Sequence, residues 1–273
     1  MFFTELLKAF LYGVVEGVTE WLPVSSTGHL ILLERVLPLA VSEDFSEMFD
    51  VVIQLGAILA VVVLYFRRLN PLAPSKSTLE KKQTWGLWGR VLVAVIPSAV
   101  AGALLDDWLD GHFYNHVTVA VTLVLYGVLF IAVERRRARR SADGGEVGLG
   151  RALGMGMFQV LSLVPGTSRS GATILGGMLL GVSRGIAAEF SFFMAIPTML
   201  GAGLLKTVKL FAAGVTVTPA EWQILGVGCL TAFFVSLCAI RFLTDFVKRH
   251  SFAPFGWYRI GLGVLVIYLM GRY

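Results

Sequence analysis

Two short polar runs carry most of the side chains able to do chemistry in an otherwise apolar chain: Glu16 to His29, EGVTEWLPVSSTGH, and Pro165 to Thr173, PGTSRSGAT. In the second run Gly166 and Gly171 permit close backbone approach. Ser168, Ser170 and Thr173 offer hydroxyls, and the half-helix that follows presents free amides and a positive dipole end. Arg169 adds a permanent planar cation whose fork suits phosphate oxygens. Together these are what an anionic phosphate group needs. A plainer reading pairs Arg169 with Glu189 or with the carboxylates of the first run, and the two readings are compatible.

In the first run Glu16 and Glu20 are four residues apart, so a helix places them on one face, one turn apart. They read as metal ligands or acid/base groups, or as a hydrogen-bonded structural pair. Ser25, Ser26 and Thr27 follow Pro23 and precede a half-helix expected to begin near Gly28. Helix capping is their ordinary use. His29, at i+3 from Ser26, is within reach as a base or as a phosphorus nucleophile, although a lone membrane histidine can also be a satisfied polar group. Glu47, Asp50 and Gln54 share a helical face that could line the outer mouth of a cavity, with solvated helix-end residues the simpler account of the first two.

These runs must be held by membrane helices. The chain has 273 residues, 56% of them hydrophobic and 15% charged, with a mean hydropathy of +0.76, outside the composition of soluble domains. Apolar runs of about 17 to 25 residues recur, the length an α-helix needs to cross a bilayer, and the alternation of a membrane β-barrel is absent. The net charge of +5 sits in short loops, where it sets topology rather than binding nucleic acid. Cys229 and Cys238 form no metal or disulfide framework and read as core filling. The N-terminus lacks a basic leader and carries Glu5, Glu16 and Glu20, so no cleaved signal peptide is expected.

In order, residues 6 to about 37 form two half-helices broken near Pro23 to Thr27, because proline disfavours helix before it and lacks an amide donor. A span from about Glu47 to Phe66 follows, then a surface loop from Asn70 to Arg90, and spans at roughly 90 to 106 and 117 to 134 around the acidic connection DDWLDGH. After the basic loop ERRRARRSADGGE the pattern recurs: a stretch from 152 to 181 broken at Pro165 to Ser170, then spans at roughly 186 to 206, 221 to 241 and 255 to 271. Trp85, Trp88, Trp108, Trp222 and Trp257 fall near span ends and read as interfacial anchors.

The expected fold is therefore an all-α integral membrane protein, one domain built as an inverted-topology repeat. Each half, about 1–134 and about 152–273, is a re-entrant helical hairpin plus three transmembrane helices. Pro23 and Pro165, Ser26 and Ser168, and Glu47 and Glu189 are each 142 residues apart. Six basic residues lie between Arg67 and Arg90 and six between Arg135 and Arg151, against none from Asp106 to His116; this makes the first two loops cytoplasmic and the last external. Three spans per half invert the second half, so the hairpin tips meet near the midplane and both chain ends lie outside.

The quoted runs resemble the undecaprenyl-diphosphate phosphatase family of the bacitracin-resistance type. Its E/QxxxE pattern appears as Glu16 to Glu20, LPVSSTGH stands complete from Leu22 to His29, PGxSRSxxT stands complete from Pro165 to Thr173, and FDVVIQLGAILAVV extends the likeness from Phe49 to Val62. The resemblance implies a bacterial plasma (inner) membrane enzyme of cell-wall lipid recycling, open to the external side. It would remove the terminal phosphate of undecaprenyl diphosphate with a divalent cation, Mg²⁺ or Ca²⁺, assisting at Glu16 and Glu20. Glu16, Glu20, Ser26, His29 and Arg169 would be catalytic, with Ser25, Thr27, Ser168, Ser170 and Thr173 binding substrate. Ser26 or His29 would attack, or activate water, with Ser26 favoured. The expected partners are the lipid substrate and membrane lipid, with a homodimer left open. A lipid or small-anion transporter or flippase shares the inverted-repeat plan and is the competing class.

Overall fold

The computed structural model describes residues 2–137 and 147–270, and every regular element among them is helical. The first half contains α1 (Phe2–Thr19), α2 (Ser26–Val36), α3 (Glu43–Leu64), the short α4 (Phe66–Leu69), α5 (Thr78–Phe113) and α6 (His116–Arg137). The second contains α7 (Leu149–Val160), α8 (Arg169–Leu179), α9 (Arg184–Ala212), α10 (Pro219–Arg249) and α11 (Ala253–Met270). Among the described residues, six helices are long and apolar enough to cross a membrane: α3, α5, α6, α9, α10 and α11. The protein is an all-α integral membrane protein. Residues 138–146 of the basic loop lie outside the described residues.

The expected loop from Asn70 to Arg90 is helical from Thr78 onward. Its start is fixed by a capping box that the hydropathy pattern hides: the Ser77 amide donates to Glu80 at 2.7 Å, and the Glu80 amide donates to the Ser77 hydroxyl at 3.3 Å. At its far end α5 continues through the acidic connection to Phe113. Polar residues outside the hydrocarbon extend a helix as readily as they end one.

Both halves begin with a half-helix, a break and a second half-helix, and their packing is reciprocal. α1 lies along α10 of the other half, α7 lies along α5, and α3 and α6 pack on α9 and α11. Close approach needs small residues at the crossing. A Cβ at Gly13 of α1 would collide with the Gly228 carbonyl of α10, and one at Gly156 of α7 with the Ala94 carbonyl of α5.

Ser25 and Ser168 are the non-glycine residues with positive φ among those described, at 75° and 70°. Each caps the following half-helix, its hydroxyl accepting from the amide of Gly28 at 3.3 Å and of Gly171 at 3.1 Å. These caps are 143 residues apart, as are Gly13 and Gly156. The expected offset of 142 is thus one residue out at the caps: Ser26 corresponds to Arg169, not to Ser168. The extra residue lies between the proline and the cap, where Gly166 turns at φ 82°. Glu47 and Glu189 do not correspond either, since the N-caps of their helices, Ser42 and Ser183, are 141 apart.

Candidate active site

Both half-helices after the breaks begin at the same place. Serine in the left-handed region is strained by about 1–3 kcal/mol, and strain of this kind collects where a site needs a particular backbone. Each kink leaves the first amides of α2 or α8 open at a positive helix end. The two kinks are in direct contact: Ser170 Oγ donates to the Glu20 carbonyl at 2.9 Å and lies 3.3 Å from that of Leu22.

At this junction Arg169 Nε and Nη2 donate to Glu20 Oε1 at 3.2 and 3.0 Å, while Ser26 Oγ donates to Glu20 Oε2 at 2.9 Å. Arg169 and Glu20 side chains are only 9% and 6% exposed, so their attraction is little screened. One carboxylate thus joins a hydroxyl at the start of α2 to a guanidinium at the start of α8. The remaining end of the guanidinium is fixed on α9, where Nη1 donates to the Ser191 carbonyl at 2.7 Å and lies 3.3 Å from its hydroxyl. Thr173 Oγ1 is 2.6 Å from the Ser191 hydroxyl. Arg169 also lies over Trp21, 5.8 Å from the ring centre.

The arginine therefore pairs with Glu20 of the first run rather than with Glu189, which pairs with Arg68. Ser168 caps α8 and lies 3.2 Å from Ser170. Thr27 is half-buried in the first turn of α2. His29 is turned away from Ser26: Nδ1 is 2.7 Å from the Ser25 carbonyl and Nε2 is 2.7 Å from the Tyr258 hydroxyl. The expected serine–histidine contact is replaced by a serine–glutamate contact, because an i+3 position on α2 carries the ring toward α11. Glu47 faces outward with Lys206 at 3.4 Å.

Glu16 differs from its neighbours. It is fully buried, and neither carboxylate oxygen has a hydrogen-bond partner among the described residues. Its counterpart at the 143 offset is Gln159, also buried, whose amide donates to Ser98 at 2.6 Å and Thr198 at 3.0 Å. The second half thus places a hydrogen-bonded amide where the first half places an acid with no hydrogen-bond partner among the described residues. An unpaired buried carboxylate is costly. A bound cation or a proton is what the position calls for.

Sequence reasoning passed over Ser191, Tyr258 and Arg259. Arg259 has no exposure at all and ties the kinks together: Nη1 donates to the Pro23 carbonyl at 3.2 Å, and Nη2 to those of Gly166 and Thr167 at 2.8 and 2.9 Å. Its guanidinium carbon is 5.5 Å from the centre of the Tyr126 ring. The available signal was a lone arginine inside the last apolar span, since such residues face the interior of a bundle. Replacing Arg259 by Met would leave these carbonyls unpaired at about 1–3 kcal/mol each. The expected result is a markedly lower thermal unfolding midpoint in detergent together with loss of turnover; wild-type values of both would contradict the bridge.

Residues 9–265 match the family described as bacitracin resistance protein BacA. The chain is 55% identical over 266 residues to an undecaprenyl-diphosphatase of Lactiplantibacillus plantarum, covering 96% of this chain and 97% of that one. It is 53% identical over 270 residues to the undecaprenyl-diphosphatase of Enterococcus faecalis, covering 98% of each. It is 54% identical over 267 residues to that of Streptococcus thermophilus, covering 97% of this chain and 93% of that one. A profile spanning nearly the whole sequence, and relatives more than half identical over almost their full length, make this chain a member of the BacA bacitracin resistance family.

Proposed function

We propose that this protein hydrolyses undecaprenyl diphosphate to undecaprenyl phosphate and inorganic phosphate in the bacterial plasma membrane, recycling the lipid carrier of cell-wall synthesis. The observation that carries the reading is the continuous link Ser26–Glu20–Arg169 across two buried helix starts. It sets a hydroxyl, a base and a cation side by side.

The polyprenyl tail stays among lipid while the diphosphate enters between α2 and α8. Arg169 and the open amides of the two helix starts neutralise phosphate oxygens, most strongly as charge builds in the transition state. Ser26 Oγ attacks the terminal phosphorus as its proton passes to Glu20 Oε2. The bond from that phosphorus to the bridging oxygen breaks, and undecaprenyl phosphate leaves. Glu20 gives that proton to the departing lipid phosphate; water then attacks the phosphoserine, passing a proton to the freed Glu20 carboxylate, the bond from phosphorus to the Ser26 oxygen breaks, and Ser26 takes this proton from Glu20 as inorganic phosphate departs. Ser191 and Thr173 hold Arg169 in place, and Arg259 holds the two kinks in register.

Glu16 fits a divalent cation, Mg²⁺ or Ca²⁺, because its buried oxygens have no other partner among the described residues. Glu20 would be its neighbour in the site. Among the described residues no three His, Cys, Asp or Glu side chains converge, so substrate oxygens and water would complete the ligand set, as they commonly do for Mg²⁺. Bound there, the cation would lower the charge on the transferring phosphoryl group.

The basic loops support a cytoplasmic placement for the Arg67–Arg90 side. The two halves would be inverted repeats, about 1–134 and about 152–273, with the active site opening externally. Purified protein in detergent, given lipid diphosphate, should release free phosphate, with Glu16→Gln requiring at least about tenfold more divalent cation for half-maximal rate. No release by the wild type would overturn hydrolysis and leave a carrier role, which needs two compartments. An unchanged cation profile in the variant would remove Glu16 from the metal site.

A further inference from the structure

A polar cavity lies behind the active site. It encloses about 490 Å³ between α4, the start of α5 and α9, within the size range of small-ligand pockets. One turn of α9 separates it from the catalytic arginine. Glu189, Phe190 and Phe193 line the cavity, while Ser191 holds Arg169 and Phe192 packs edge-on against Trp21 at 5.4 Å.

The lining is cationic above and apolar below. Among the described residues Arg67, Arg68, Lys76 and Arg90 contribute four positive charges, against Glu80 and Glu189. Glu189 is taken up by Arg68, whose guanidinium also lies 5.6 Å from the centre of the Phe193 ring. Glu80 is turned to the Ser77 amide as part of the α5 cap. Lys76 is held in place, with Nζ donating to Thr84 Oγ1 at 2.7 Å and to the Arg68 carbonyl at 3.2 Å. Leu87, Ile186, Phe190 and Phe193 provide the apolar wall. Beside this region Phe66 and Leu72 are 56% and 75% exposed, as residues seated in a bilayer interface would be.

We propose that this cavity is a second phosphoryl-binding site, distinct from the catalytic one, that takes either the phosphate of an anionic lipid head group or free inorganic phosphate. Guanidinium forks and an anchored ammonium suit phosphoryl oxygens. Basic pockets between membrane helices hold anionic head groups, and an apolar wall accepts the start of the acyl chains. The net positive lining and the apolar wall beside it go beyond what a topology-setting loop requires.

Full-length protein in detergent would be tested by native mass spectrometry with phosphatidylglycerol against phosphatidylcholine, and by equilibrium dialysis with labelled inorganic phosphate. Arg67→Gln combined with Lys76→Gln should weaken binding at least fivefold. Gln83→Glu, which keeps the side-chain shape and adds a negative charge to the lining, should do the same without disturbing the fold. Both variants should keep the KM for lipid diphosphate, which assigns the loss to this cavity. Loss confined to phosphatidylglycerol identifies a lipid head group, and loss confined to inorganic phosphate identifies the free ion. If the wild type and both variants bind each ligand within twofold of one another, the site does not exist.

Discussion

Arg169→Ala is expected to lower kcat/KM for phosphate release by at least about 1,000-fold, the scale seen when a preorganised charge stabiliser is removed from a low-dielectric site. Arg169 does two things at once. In the proposed mechanism it would stabilise substrate charge, and it fixes the Glu20 carboxylate that would receive the Ser26 proton. Arg169→Lys should recover little, since an ammonium cannot span Glu20 on one side and the Ser191 carbonyl on the other as the guanidinium does. Truncation also leaves Glu20 buried without its partner, a change that can cost about 3–5 kcal/mol, so the assay pairs turnover with a monodisperse elution profile. Arg169→Ala combined with Glu20→Gln relieves that burden and restores stability without restoring turnover. A folded Arg169→Ala protein within tenfold of wild-type turnover would end the clamp role.

Much of this site was legible in the sequence because membranes make polarity conspicuous. Carboxylates, hydroxyls and an arginine inside apolar runs have few structural uses, and Pro23 and Pro165 mark where helices stop. Spans were legible for the same reason, to within several residues at most ends. What could not be read was the partner of each group. His29 is correctly spaced from Ser26 on a helix, yet helix geometry alone cannot show that α11 presents Tyr258 to it. Arg259 went unremarked inside the span expected at roughly 255 to 271, because a single charge barely alters the hydropathy of a whole span. The expected repeat was aligned on Pro23 and Pro165, which puts the two serine caps one residue out of register, since prolines are visible in sequence and a left-handed serine cap is not. Residues 78–90 were misread because charge was taken for loop when Ser77 and Glu80 already spelled a helix start.

Ser26→Ala and Glu20→Gln carry the sharpest test of the chemistry. If Ser26 Oγ is the nucleophile and Glu20 takes its proton, each substitution alone should lower kcat by about 1,000-fold or more, and the double variant should be little worse than either, because groups that act as one unit fail as one unit. If instead Glu20 only positions Arg169 and Ser26 only begins α2, their losses should be smaller and should add on a free-energy scale. The 2.9 Å contact between Ser26 Oγ and Glu20 Oε2 predicts the first pattern. Ser25→Ala provides the comparison, since it removes a cap from the adjoining residue without touching Glu20, and should act through stability, by about 0.5–2 kcal/mol for the cap plus the strain of alanine at positive φ. Rapid quench with labelled lipid diphosphate gives an independent reading. Wild-type protein should retain label on Ser26 at early times, and Ser26→Ala should retain none; full turnover by Ser26→Ala would assign the attack to water.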